Sequence, residues 1–187
     1  MKTDVDENLI LFTTIPQPSD GDGSSEWIVN GPTKAKVLKA PGYPARIPKP
    51  HRPDLYEVRS TPDMGFGVFA KYDIKRGDLI FSERPLLVSP MSLGSLSEIP
   101  SHYTPSQVKQ VVMFQNEQLV ETAVGRMTEQ NRANYKSLHN SHQEDGSGPL
   151  LGIMRTNGYG VEALYDGSNE KFIYTAINNV GSRINHR

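Results

Sequence analysis

Gly65-Phe66-Gly67-Val68-Phe69-Ala70 has the spacing of a dinucleotide-binding glycine fingerprint, with Glu83 near the place of a ribose-binding acid. That chemistry needs a helix to start at the glycines and aim its N–H groups at a pyrophosphate. Here Val68 and Phe69 lead into Lys71–Arg76, Gly77 ends any helix, and Leu79-Ile80-Phe81 reads as strand. No crossover helix follows, so a nicotinamide oxidoreductase is set aside. The two glycines then mark backbone needing unusual φ or close approach, as a bare turn or bulge also would. His139 and His142 lie three apart without an acidic or cysteine companion pattern, which gives no metal site. The chain has no cysteine, which excludes disulfides, iron–sulfur clusters, thiolate zinc and cysteine nucleophiles.

The elements that must position the glycines are short. Tyr56–Ser60 alternates like a half-buried strand, Thr61–Gly65 has turn chemistry, and Gly67–Ala70 is a second strand. Leu79–Glu83 is expected as a third strand stopped by Pro85, with Leu86–Val88 as an apolar continuation. Together they predict a small antiparallel meander. The period then changes. Thr104-Pro105-Ser106-Gln107 supplies an N-cap, a proline at the first helical position and the partner of a capping box. A helix is expected over 105–125, a second over 129–138, and a helical turn group over 150–157. Tyr159–Tyr165 and Lys171–Ile177 read as a hairpin with a loop of about five residues.

Residues 1–53 read as a flexible Pro-rich arm. Pro41–Pro53 places a proline every few residues, which bars a helix interior or central strand and favours extended backbone. The alternative is a basic docking motif around Lys49, His51 and Arg52. The hydrophobic share is 36%, low enough to suit such an arm, and the net charge of -1 gives no global pull toward nucleic acid or an anionic membrane. Acids near the start argue against a secretory signal, and no segment approaches the ~20 apolar residues of a membrane span. An intracellular protein is expected, nuclear or cytoplasmic.

Read together, Gly65–Ala70 and Asp73-Ile74-Lys75-Arg76-Gly77-Asp78 through Glu83-Arg84-Pro85 resemble the opening of SET domains, most of all the SET-and-MYND branch. Arg155-Thr156-Asn157-Gly158-Tyr159 and Ser182-Arg183-Ile184-Asn185-His186 resemble the approach to that family's Asn-His cofactor motif. The resemblance covers about residues 55–187. It implies an α+β, mainly β fold: a meander at 54–92, a helical insert at 93–150, and a hairpin leading into the motif at 151–187. It also implies S-adenosylmethionine as cofactor and a protein lysine, histone or non-histone, as substrate. Gly65, Phe66, Gly67, Asn185 and His186 are the implied cofactor-binding residues. Asn157 is a further candidate at the pocket edge.

Methyl transfer of this kind aligns a neutral amine with the sulfonium methyl, and it needs positioning and desolvation but no metal. No residue of this sequence matches the family's catalytic tyrosine segment, and Asn185-His186-Arg187 stands where the family continues with Ser-Cys. No cysteine-rich zinc segment is present. The expectation is an incomplete domain, inactive by itself. The alternative is a non-catalytic interaction module built on a degenerate SET fold.

Overall fold

The computed structural model describes residues 9–62, 65–91, 93, 98–164 and 173–184. Its first two strands lie where the sequence suggested a flexible arm. β1 (Ile10–Ile15) and β2 (Ser25–Asn30) form an antiparallel hairpin running from Ile10 opposite Asn30 to Ile15 opposite Ser25. The linking residues turn at Asp20 and Gly23, where φ is +86°, a conformation that suits glycine. Helix α1 (Gly31–Leu38) follows, capped by the Asn30 side chain, which accepts the Thr33 N–H at 2.8 Å.

The arm expectation is thus corrected for residues 10–38. The prolines of 41–53 bar regular structure only in their own segment, whereas Leu11-Phe12 and Trp27-Ile28-Val29 are two apolar runs around a turn. The Pro-rich piece itself has no regular secondary structure, and it is tied down. Asp22 accepts the Ile47 N–H at 3.2 Å and Arg84 donates to the Ala45 carbonyl at 3.1 Å. The Ile47 N–H is the main reason the Asp22 carboxyl lies below its usual range.

β3 (Tyr56–Thr61) and β4 (Gly65–Ala70) form a separate two-stranded sheet, with Val58 opposite Val68. The expected third strand does not form. Residues 79–83 have no strand pairing, and β5 (Leu87–Pro90) goes instead to the larger sheet. Pro85 lacks the N–H that a continuing ladder needs, and the Glu83 side chain is engaged elsewhere.

Helices α2 (Pro105–Arg126), α3 (Glu129–Lys136) and α4 (Pro149–Asn157) come next, then β6 (Gly158–Gly160) and β7 (Tyr174–Ile177). Short 3₁₀ turns occur at Glu162–Leu164 and Gly181–Arg183. The capping box of α2 is present: the Thr104 N–H donates to the Gln107 side chain at 2.9 Å and Thr104 Oγ1 accepts from the Gln107 N–H at 3.4 Å. Thr128 caps α3 in the same manner, accepting from Asn131 N–H at 3.2 Å. The N-cap residue of α4, Gly148, has no side chain to offer. Glu117 of α2 accepts the Leu150 and Leu151 N–H groups at 3.1 and 2.6 Å instead.

The larger sheet has the order β1-β2-β5-β7-β6. β2 and β5 are parallel, and the other neighbours are antiparallel. Strand alternation divides its side chains. Ile28, Leu87 and Ile177 face the helices and join Val120, Val124, Tyr135, Leu151 and Met154 in the main core. Val29, Val88, Tyr174 and Ala176 form a smaller cluster on the other face. Each fully buried aliphatic side chain contributes about 1.5–3 kcal/mol, so the helical face dominates stability.

The fold is therefore mixed α and β, and among the described residues the helices hold more residues than the strands. That corrects the mainly β expectation. The reason is α2, whose inward positions Met113, Asn116, Val120, Ala123 and Val124 make one face over about three of its turns. Phe114 is 65% exposed because it points off that face. β6 and β7 pair at Tyr159 opposite Ala176, but the expected strand Tyr159–Tyr165 stops at Gly160 and gives way to the 3₁₀ turn Glu162–Leu164, and the expected loop at 166–170 lies outside the described residues.

Candidate functional site

Gly65 opens β4 with φ at +67°, in the left-handed region. The Thr61 hydroxyl donates to its carbonyl at 2.9 Å and closes that end of the hairpin. A Cβ built at Gly65 would meet no heavy atom within 4 Å, so the backbone there borders open space. Gly65→Ala is expected to cost ~1–2 kcal/mol from conformation alone, since no clash adds to it. Gly65→Asn should cost less, because asparagine visits this region more readily. Urea denaturation of the two variants checks the order; equal midpoints would contradict it. Phe66 is 51% exposed, and Gly67 is buried opposite Arg59. Arg59 lays its guanidinium over the Phe69 ring, 3.9 Å from the centroid, on the same hairpin face as Gly67.

β4 touches the turn Gly181–Arg183, far away in sequence. The tie that fixes this approach is Glu83. Its carboxylate accepts the N–H groups of Asn179 at 3.2 Å, Val180 at 3.0 Å and Gly181 at 2.7 Å. A carboxylate is well suited to a turn whose first amides have no partner within the turn. Tyr56 stacks its ring near Phe81, with centroids 5.4 Å apart. Burial first, and then the Glu83 charge, push the Tyr56 hydroxyl up from its ordinary value. The sequence had assigned Glu83 no positioning role. The available signal was an acid just ahead of a strand-stopping proline, which does not tell where its oxygens go.

The 181–183 turn is held from three further sides. The Tyr159 hydroxyl donates to the Gly181 carbonyl at 2.9 Å. The Ser182 hydroxyl accepts the Asn178 N–H at 3.0 Å and donates to the Asn157 carbonyl at 3.2 Å. Arg183 donates to Asn179 Oδ1 at 2.8 Å, to the Asn179 carbonyl, and to the Ser137 hydroxyl at 2.7 Å. Burial draws the Arg183 guanidinium below its usual value while the Glu83 charge opposes that.

Of the five sequence-predicted cofactor residues, Gly65, Phe66 and Gly67 lie on this strand. Asn185 and His186 lie outside the described residues. Asn157, the pocket-edge candidate, is buried and donates its side-chain amide to the His139 and Ile153 carbonyls at 2.7 and 2.8 Å, a connection between α4 and the end of α3. Arg155 bonds Asp145 at 2.5 Å and also Ser147. His142 Nδ1 lies 2.8 Å from the same carboxylate, so this histidine serves the 141–149 loop. Among the described residues there is no group of three or more His, Asp or Glu side chains able to hold a metal ion, and no helix long and apolar enough to cross a membrane.

Asp145 gives a pH prediction. The Ser147 N–H chiefly, then Arg155, the Ser147 hydroxyl and His142, hold its carboxyl well below the usual range. A depressed carboxyl stabilises above its unfolded value and loses that contribution as pH falls through the folded one. Exchange protection of the Ser147 amide should stay level down to pH ~4, the ordinary carboxylate value, and fall only below it. Loss of protection already at pH ~6 would contradict the depressed carboxyl.

No family model matches the chain, and no solved structure matches it. Among curated proteins it is similar to the histone-lysine N-methyltransferase set5 of Schizosaccharomyces pombe, 27% identical over 137 residues. That alignment covers 73% of this chain and 32% of the relative, so the chain spans about a third of the length of the curated protein it matches. The similarity is weak, and it supports a SET-like methyltransferase likeness in the same direction as the motif resemblance.

Proposed function

We propose that this chain contributes part of an S-adenosylmethionine-dependent protein-lysine methyltransferase of SET type, akin to the SET-and-MYND branch without its zinc insert. One observation carries the reading. Glu83, the acid of the opening motif's Glu-x-Pro, clasps the amides of 179–181, just ahead of the Ser-x-x-Asn-His segment. β4 and the start of that segment, Gly181–Arg183, are thereby set side by side. The residues present fit such a group: Gly65 leaves open space beside its main chain, and Phe66 exposes much of its ring. When bound, the cofactor supplies a methyl group; the part of this chain is to cradle and orient it with backbone from β4 and the 181–184 segment. The substrate is a lysine of a histone or another protein.

Residues 1–187 by themselves are expected to bind the cofactor more weakly than micromolar and not to turn over, because the described residues supply one wall of such a site. Calorimetric titration with S-adenosylmethionine, paired with amide shifts, tests both parts. Weak saturable shifts at Gly65–Gly67 and Gly181–Arg183 are the expected result. Micromolar or tighter affinity would overturn the one-wall reading, and unmoved amides at millimolar cofactor would overturn the methyltransferase reading. The second reading, a non-catalytic interaction module, is favoured by the apolar cleft lined by α2 and α4.

A further inference from the structure

Residues 31–53 hold six basic side chains, Lys34, Lys36, Lys39, Arg46, Lys49 and Arg52, and no Asp or Glu, in a chain whose net charge is -1. The second half of this stretch is the Pro-rich strip, and its burial repeats every third residue. Ile47 and Pro50 are half-buried, whereas Arg46, Lys49 and Arg52 are exposed. Three residues per turn is the period of a polyproline helix, with a rise of ~3.1 Å per residue. The three cations therefore follow one outward edge at steps of roughly 9 Å.

The edge is fixed in place. Asp22 accepts the Ile47 N–H at 3.2 Å, and Arg84 donates to the Ala45 carbonyl at 3.1 Å. Little order is left to lose when a partner binds. Two of the cations face an acid. Arg46 lies 3.6 Å from Asp22, and Arg52 lies 3.4 Å from Asp54 and over the Tyr72 ring. Both arginine side chains stay more than half exposed, at 83% and 52%, and exposed pairs of this kind are weak. Lys49 is in no ion pair among the described residues. Lys34 of α1 and Arg46 line one cavity of about 660 Å³, which carries the positive edge on to the helix. Asp20 lies in that cavity too and is paired with Arg84 at 3.3 Å.

We propose that this edge docks on a double-stranded nucleic acid through the phosphates of one strand. Each strand of a duplex carries a phosphate every ~3.4 Å of its axis, so the ~19 Å from Arg46 to Arg52 runs beside about five of them. An acidic peptide is the rival polyanion, and it is held by backbone pairing or an apolar anchor as well as by charge. The strip offers neither: Pro48, Pro50 and Pro53 have no N–H, Asp22 takes the Ile47 N–H, and the Ile47 side chain is turned to the body. A reader of Pro-x-x-Pro ridges finds Pro50 half-buried and the Pro41–Pro44 step turned at Gly42, where φ is +77°. A single strand binds by stacking its bases on aromatic rings, but residues 45–53 include no Phe, Tyr or Trp, and Tyr72 already stacks with Arg52 at 4.0 Å. This docking stands whether or not the chain takes part in methyl transfer.

The test titrates the whole 187-residue chain into a fluorescent duplex of about 20 base pairs and mixed sequence, read by anisotropy between about 50 and 200 mM salt. The logarithm of the affinity should fall against that of the salt concentration with a slope of about -3, as for three or four neutralised phosphates. Lys49→Glu should weaken binding about tenfold or more at the lower salt and flatten the slope by about one. Lys109→Glu, the same charge change at an exposed position on α2, should leave both unmoved. The proposal is overturned by no binding at ~100 μM chain in low salt, by a flat salt dependence, or by equal weakening from Lys109→Glu. It is overturned as well if a peptide of about 20 glutamates competes as strongly as unlabelled duplex, or if a single strand of the same length binds more tightly.

Discussion

Arg126→Met is expected to destabilise the chain by ~3 kcal/mol, the low end of the range for breaking a buried ion pair. Glu26, near the start of the larger sheet's β2, has a side chain only 1% exposed. Its carboxylate accepts from the Thr14 hydroxyl at 2.8 Å and from Arg126 at the end of α2. Removing the guanidinium leaves a desolvated charge with one neutral partner. The low end applies because Arg126 is itself 45% exposed, so water can reach the gap. In melting temperature the loss corresponds to roughly 6–12 °C for a chain of this size. Glu26→Gln on top of Arg126→Met should restore most of it, since the uncompensated charge is then gone. Thermal melts of the two singles and the double form a cycle. A double variant no more stable than Arg126→Met would show that shape, not charge, sets the cost.

Glu83→Ala should cost ~2–3 kcal/mol, the scale of losing charge-assisted hydrogen bonds. Three amides, of Asn179, Val180 and Gly181, lose one shared acceptor. Glu83 is half-buried, so water replaces part of the loss. Glu83→Gln keeps one oxygen acceptor and should cost about half as much. Hydrogen exchange locates the effect: the amides of 179–181 should lose protection while those of α2 keep it. Uniform loss across the chain would mean that Glu83 supports the fold globally and not this turn in particular.

How far the fold was legible in the residues depends on the distance over which each signal acts. The capping box of Thr104 and Gln107 is complete within four residues, and α2 follows it to within one residue of the expected end. α3 rests on an equally local cap, Thr128, whereas α4 takes its cap from Glu117 of α2. Strand partners do not. Leu87 reads as an apolar afterthought to a meander, yet it sits between Glu26 and Ile177 in the larger sheet. Nothing near Leu87 in sequence specifies either neighbour. The N-terminal hairpin was hidden by the company of the prolines at 41–53, although Trp27-Ile28-Val29 carried a strand signal of its own.

The site divides in the same way. A glycine at Gly65 is readable because its φ of +67° requires one, and the β-strand after it is why the dinucleotide reading fails. The clasp of Glu83 on 179–181 joins parts of the chain nearly a hundred residues apart, and an acid in sequence does not announce which amides it will meet.

The strand order has a consequence for synthesis. Leu87 is flanked by Glu26 on one side and Ile177 on the other, so the middle of the sheet has its second neighbour only after residue 177 has been made. Until then the hairpin of β1 and β2, however early it forms, presents a lone edge with β5 at most beside it, and α2 has only part of the surface it covers in the finished fold. Helices built from near contacts form first and wait on pairings that span the chain. A nascent chain halted before Ile177 would therefore hold its helices and lack its sheet. The stretch of translation between α2 and β7 is the interval in which this protein is most exposed to aggregation.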